Sequence, residues 1–161
     1  MPDLSLSSPV PARVPTGFPA LDSLLGGGWP LGVLTELLVP AAGLVEFGLL
    51  CPALTTLAGT QPAVLIAPPW LPYAPGLASQ GLAPGRVLVV GARQPREVFW
   101  AMDEALRSGT CGAVVAWAAT VALAPGGPGR FPLRRLQLLA GRQPGLAVLV
   151  RAARCRGQRS P

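Results

Sequence analysis

Five short apolar runs recur along the chain: VLTELL (33–38), AVLIA (63–67), RVLVV (86–90), AVVAW (113–117) and LAVLV (146–150). Each is bounded by Gly or Pro. A strand with one wet face alternates apolar and polar residues, whereas a strand covered on both faces reads as a nearly unbroken apolar run. These runs therefore predict buried strands, and a different periodicity appears between them. In PREVFWAMDEALRSG, Pro95 suits a first helical position, Glu97 favours the positive end of the helix dipole, and Gly109 suits a left-handed cap. Val98, Met102, Ala105 and Leu106 recur at helical spacing and are expected to face the sheet.

In PLRRLQLLAGR, Leu133, Leu136 and Leu139 or Ala140 point one way, and Arg134, Arg135 and Gln137 the other. A short helix is expected from Pro19 to Leu25, stopped by Gly26–Gly28 and followed by a turn at Trp29–Gly32. Strands alternating with helices imply crossover connections and a mostly parallel five-stranded sheet flanked by helices, an α/β fold. Residues 1–15 read as a flexible Pro/Ser-rich arm and 16–150 as the α/β domain. Residues 151–161 read as a disordered Arg-rich tail, since RAARCRGQRSP carries no apolar stripe.

With 161 residues, half of them hydrophobic, the chain is long enough for one core and too apolar for disorder. The long apolar stretch 37–58 holds Glu46 near its middle and is interrupted by Pro40 and Pro52. A strand, loop and helix explain it better than a membrane span, since a central acid costs roughly 2.5–3.5 kcal/mol on insertion. The N-terminus has no signal-peptide pattern, and a cytoplasmic, nucleoid-associated location is expected. Cys51, Cys111 and Cys155 have no histidine company, so no zinc set is expected and buried thiols are. All 13 basic residues are arginine. After Glu104 there are nine arginines and no acid, which points to an anionic partner, nucleic acid or acidic protein, or to a plain solvated face. Arg130, Arg134, Arg135 and Arg142 are the candidates.

The segment VPAAGLVEFGLL (39–50) joins the first apolar run to a helix-like run, where a nucleotide-binding fold would place its phosphate loop. TGFPALDSLLGGGWPLGVLTELL before it, and EALRSGTCGAVVAW later, resemble the core of RecA-like recombinases. Over residues 14–150 the pattern is most similar to ImuA-type accessory proteins, a RecA-like and SulA-related group. That resemblance implies a RecA-like core with a degenerate phosphate loop. Val39 stands where the first glycine belongs, Leu44 at the second, Val45 at the lysine and Glu46 at the hydroxyl; only Pro40 and Gly43 suggest a loop. Trp117 stands at the magnesium-binding aspartate. Both charged halves of the site are missing, so neither ATPase activity nor a nucleotide cofactor is expected. Leu44, Val45 and Trp117 are expected to close the old cleft with apolar contacts. Glu97 falls one position from the recombinases' catalytic glutamate.

The resemblance further implies a non-catalytic role in error-prone translesion synthesis, with an ImuB-like Y-family polymerase homologue and RecA as partners. A SulA-like cell-division inhibitor that binds FtsZ is the alternative. AVVAW suits both, whereas TGFPALDSLLGGGWPLG belongs to the RecA/ImuA pattern. ImuA-type chains continue beyond the last strand, so this shorter C-terminus is expected to lack part of their partner contacts. Trp70 and Tyr73, on a proline-stiffened loop, are candidate partner anchors or rings that cap the sheet; Trp100 is a third candidate. Weak sequence-independent DNA binding through roughly three to five phosphates is also expected.

Overall fold

The computed structural model describes residues 11–43, 45–118 and 130–153, with the side chains of 130–132 outside the description. Leu44, the side chain of Arg130, residues 1–10 of the expected arm, and the tail from Arg154 onward with Cys155 lie outside the described residues.

A two-stranded antiparallel ribbon, β1 (Arg13–Val14) and β2 (Trp29–Pro30), brackets α1 (Pro19–Leu25). Then follow β3 (Leu34–Val39), α2 (Val45–Ala58), β4 (Ala63–Ile66), α3 (Ala74–Ser79), a 3-10 turn at Pro84–Arg86, β5 (Val87–Val90), α4 (Pro95–Ser108), β6 (Ala113–Trp117), α5 (Arg130–Ala140) and β7 (Leu146–Ala152). The main sheet is five-stranded and all parallel, in the order β3-β7-β6-β4-β5. The five apolar runs are its five strands.

Pleating divides each run between two cores. Leu65, Val115, Trp117, Val148 and Val150 face α2, α3 and the ribbon. Ile66, Val114, Ala116 and Leu149 face α4 and α5. Strands β4, β6 and β7 are buried throughout, which is why they carry almost no polar positions. The edge strands correct the expectation of burial: Leu88 and Val89 of β5 and Leu38 of β3 are exposed, because an edge strand has one neighbour only. Val98, Met102 and Leu106 are buried under α4, with Ala105 packed against the same cluster; Leu133, Leu136, Leu139 and Ala140 are buried under α5.

The TGFPALDSLLGGG segment owes its composition to local geometry. The Thr16 N–H donates to Asp22 Oδ1 (2.8 Å), and Thr16 Oγ1 accepts from the Phe18 N–H (3.0 Å). Gly26 ends α1 in the left-handed region, φ 71°, with its N–H on helix carbonyls. The Arg13 guanidinium donates to the carbonyls of Leu25 (2.6 Å) and Gly28 (3.1 Å), tying β1 to the helix end. Two boundaries differ from the sequence expectation. Arg13 and Val14, placed in the arm, form paired strand with Val14 buried; Arg151 and Ala152, placed in the tail, extend β7 and pair with Leu38 and Val39. Arg151 is kept there by an ion pair with Glu36 on β3, which makes a buried arginine tolerable in a central strand.

Glu97 is a capping residue. Its Oε2 accepts the N–H groups of Arg93 (2.8 Å) and Gln94 (3.0 Å) at the start of α4. Those two hydrogen bonds hold its carboxyl below the usual glutamate range.

Candidate functional site

All five strands run the same way, so the loops after β3, β4 and β6 meet at one edge of the sheet. The loop after β4 leads to α3 on one face, and the chain after β6 leads to α5 on the other. The edge between β4 and β6 is therefore a switch point, where open α/β sheets leave a crevice. A cleft of about 260 Å³ lies there, walled by Gly43 and Phe47, the Pro68–Tyr73 loop, Leu77 and Gln80 of α3, and Trp117. Among the described residues its lining holds no charged side chain.

At the base of this edge the two positions read as separate losses come together. Glu46, in the first turn of α2, is fully buried. Its Oε1 accepts the Gly43 N–H at 2.6 Å and the Trp117 Nε1–H at 3.0 Å. Its Oε2 is buried without a partner among the described residues. Glu46 thus folds back on the loop that precedes its own helix, and its carboxyl lies at the N-terminal end of that helix. The Gly43 N–H is the kind of donor with which a phosphate loop would meet its ligand, and here a carboxylate of the same chain takes it.

One expectation is corrected. Val45 does not close the cleft with apolar contacts, because it is 76% exposed. As the first residue of α2, it projects outward when Glu46, the next residue, turns inward. Trp117 is buried on the α2 side of the sheet, and Val39 is buried at the end of β3. Pro40 is exposed and Gly43 half-buried.

Trp70 and Tyr73 wall the cleft and remain 65% and 75% exposed. The loop carrying them leaves β4 through Ala67, whose φ of 49° places an alanine in the left-handed region. That conformation costs roughly 1 kcal/mol for a residue with a Cβ. It is held by the Ala67 N–H donating to the Val90 carbonyl at 2.8 Å. The three prolines 68, 69 and 72 stiffen the loop that follows.

The remaining candidates lie elsewhere. Trp100 is exposed on α4, and its neighbour Phe99 packs on the α4–α5 core. Arg134 and Arg142 are exposed at α5. Arg135 is already engaged: its Nε and one terminal nitrogen (3.0 Å to Oδ2) grip Asp103 of α4, which holds the guanidinium above its ordinary pKa. Of the free cysteines, Cys51 and Cys111 are buried, and burial pushes the Cys51 thiol up, as for an inert core residue. No helix among the described residues is long and apolar enough to cross a membrane.

The chain is similar to SulA. The crystal structure of SulA from Pseudomonas aeruginosa aligns with a TM-score of 0.53 and 29% sequence identity, over 74% of this chain and 97% of that one. No family model matches the chain, and no curated protein matches it. The likeness to SulA supports a place in the SulA-related superfamily.

Proposed function

We propose that this chain is a non-catalytic accessory protein of the bacterial SOS response that works through protein contacts and not through nucleotide turnover. The observation that carries the non-catalytic part is the buried Glu46, with Oε1 on the Gly43 N–H and the Trp117 Nε1–H. A triphosphate entering this loop would find the Gly43 N–H already taken by Glu46 Oε1, and would meet acceptor oxygens where it needs donors. The chain has no lysine to reach a phosphate. Titration calorimetry with Mg-ATP is expected to show no specific binding up to about 1 mM, a bound of about 4 kcal/mol; micromolar binding would overturn this reading.

The similarity to SulA supports the damage-response setting. Within it we assign the ImuA-type role, with an ImuB-like polymerase homologue and RecA as partners, on the TGFPALDSLLGGG and EALRSG blocks. The uncharged cleft with Trp70 and Tyr73 at its mouth supplies one contact surface, because rigid, exposed aromatics make good anchors. DNA attraction is secondary here, since Asp103 and Glu104 already engage Arg135 and Arg107. The SulA similarity favours one second reading, a division inhibitor that binds FtsZ. Binding of the purified chain to immobilised RecA, ImuB-like polymerase homologue and FtsZ separates the two. Retention by FtsZ alone would replace the first reading with the second.

A further inference from the structure

The helix layer opposite the cleft carries a second surface. Packing of α4 against α5 joins two helices that lie far apart in the sequence. Along α4, Arg96, Trp100, Asp103 and Arg107 are spaced by three or four residues, so they form one stripe on the side away from the buried Val98, Met102 and Leu106. Along α5, Arg134 and Leu138 lie on one side, opposite Leu136 and Ala140, and the exposed Arg142 follows in the turn after the helix. The Asp103–Arg135 ion pair clips the two helices together. Trp100 and Leu138 are large apolar side chains 67% and 63% exposed. Large apolar residues grouped on a helical face and ringed by arginines are a costly way to cover a monomer.

We propose that this α4–α5 face docks an amphipathic acidic helix of a protein partner. Trp100 and Leu138 would take its apolar stripe, and Arg96, Arg134 and Arg142 its flanking carboxylates. Charge complementarity selects that occupant. The exposed rim is arginine, and the acids of the face, Asp103 and Glu104, are each paired with an arginine of the same face. Duplex DNA fits less well, because a phosphate backbone would press on Asp103 and Glu104 and would leave Trp100 and Leu138 against a charged ligand. The proposal rests on the chain acting through protein contacts, but not on its failure to bind nucleotide, which calorimetry decides separately.

The test uses the full chain and fluorescently labelled helical peptides with leucine at every third and fourth position. In one peptide the flanks are glutamate, in a second lysine, and in a third the glutamate sequence is scrambled. Polarisation is expected to show binding of the glutamate-flanked peptide alone, weakening with added salt. Trp100→Ala and Arg134→Glu are each expected to weaken it about tenfold, with unchanged circular dichroism. Trp70→Ala, at the far cleft, is expected to leave it unchanged. Equal binding of all three peptides, no binding of the glutamate-flanked one, or loss of binding in Trp70→Ala would overturn the proposal. So would a short duplex DNA that binds the wild type and is released by Trp100→Ala, or a self-association in sedimentation that Trp100→Ala abolishes. Those results would assign the face to nucleic acid or to a second copy.

Discussion

Trp117→Ala is expected to lower the free energy of unfolding by about 3–5 kcal/mol, the range for truncating a large buried aromatic. Trp117 is 4% exposed at the end of β6 and belongs to the core shared by α2, α3 and the ribbon. Its loss removes apolar contacts and also the indole N–H on Glu46 Oε1, at 3.0 Å. The buried carboxylate would then keep only the Gly43 N–H among its described donors. Trp117→Phe separates the two contributions: most of the ring packing stays, and about 1–2 kcal/mol should go with the hydrogen bond. A cycle with Glu46→Ala should show positive coupling, since the two residues share one interaction. Urea denaturation followed by far-ultraviolet circular dichroism measures all of these. An unchanged midpoint for Trp117→Ala would mean that Trp117 is not packed, and would turn it into a surface contact.

Gly28→Ala should be comparably damaging, at about 3 kcal/mol or more. Gly28 has φ +119°, and a Cβ there would lie 2.2 Å from the Val14 carbonyl oxygen and 2.7 Å from its carbon. The obstacle is backbone, so neither residue can yield without breaking the β1–β2 ribbon. Gly48→Ala is the control. Gly48 sits inside α2 with nothing within 4 Å of an added Cβ, so alanine should stabilise by up to about 1 kcal/mol through the unfolded state. Thermal melts of the two variants check both expectations. A Gly28→Ala midpoint as high as that of Gly48→Ala would show that the triple glycine is not held as described.

Strands β4, β6 and β7 were legible because each is covered on both faces, and burial of that kind writes an apolar run into the chain; the edge strands β3 and β5 carry similar runs although several of their residues are exposed. The observed strands match those runs to within two residues at either end. Helix α4 was equally legible, from Pro95 to its glycine cap, because capping and amphipathic spacing are local. The ribbon of β1 and β2 was not. Its strands are two residues long and exist only through pairing with each other, and one of the paired residues is Pro30. Helix α3 was not legible, because its six residues, Pro75 and Gly76 among them, carry no helical periodicity; its ordering follows from Leu77 packing into the core.

By itself, the sequence determined the α/β class, the order and bounds of the main elements, and the absence of a lysine and a hydroxyl from the loop at 39–46. Those properties depend on residue type and on spacing over a few turns. Only the tertiary structure decided what Glu46 and Trp117 do. Glu46 and Trp117 are 71 residues apart, and read along the chain they are two unrelated positions. Folding makes them one hydrogen bond, because parallel pairing brings the end of β6 beside the loop that opens α2. Val45 and Glu46 likewise could not be sorted from composition, since one helical step of about 100° sends one into water and the other into the core. Packing of α4 on α5 decided in the same way that Arg135 is spent on Asp103, while Arg134 and Trp100 remain at the surface.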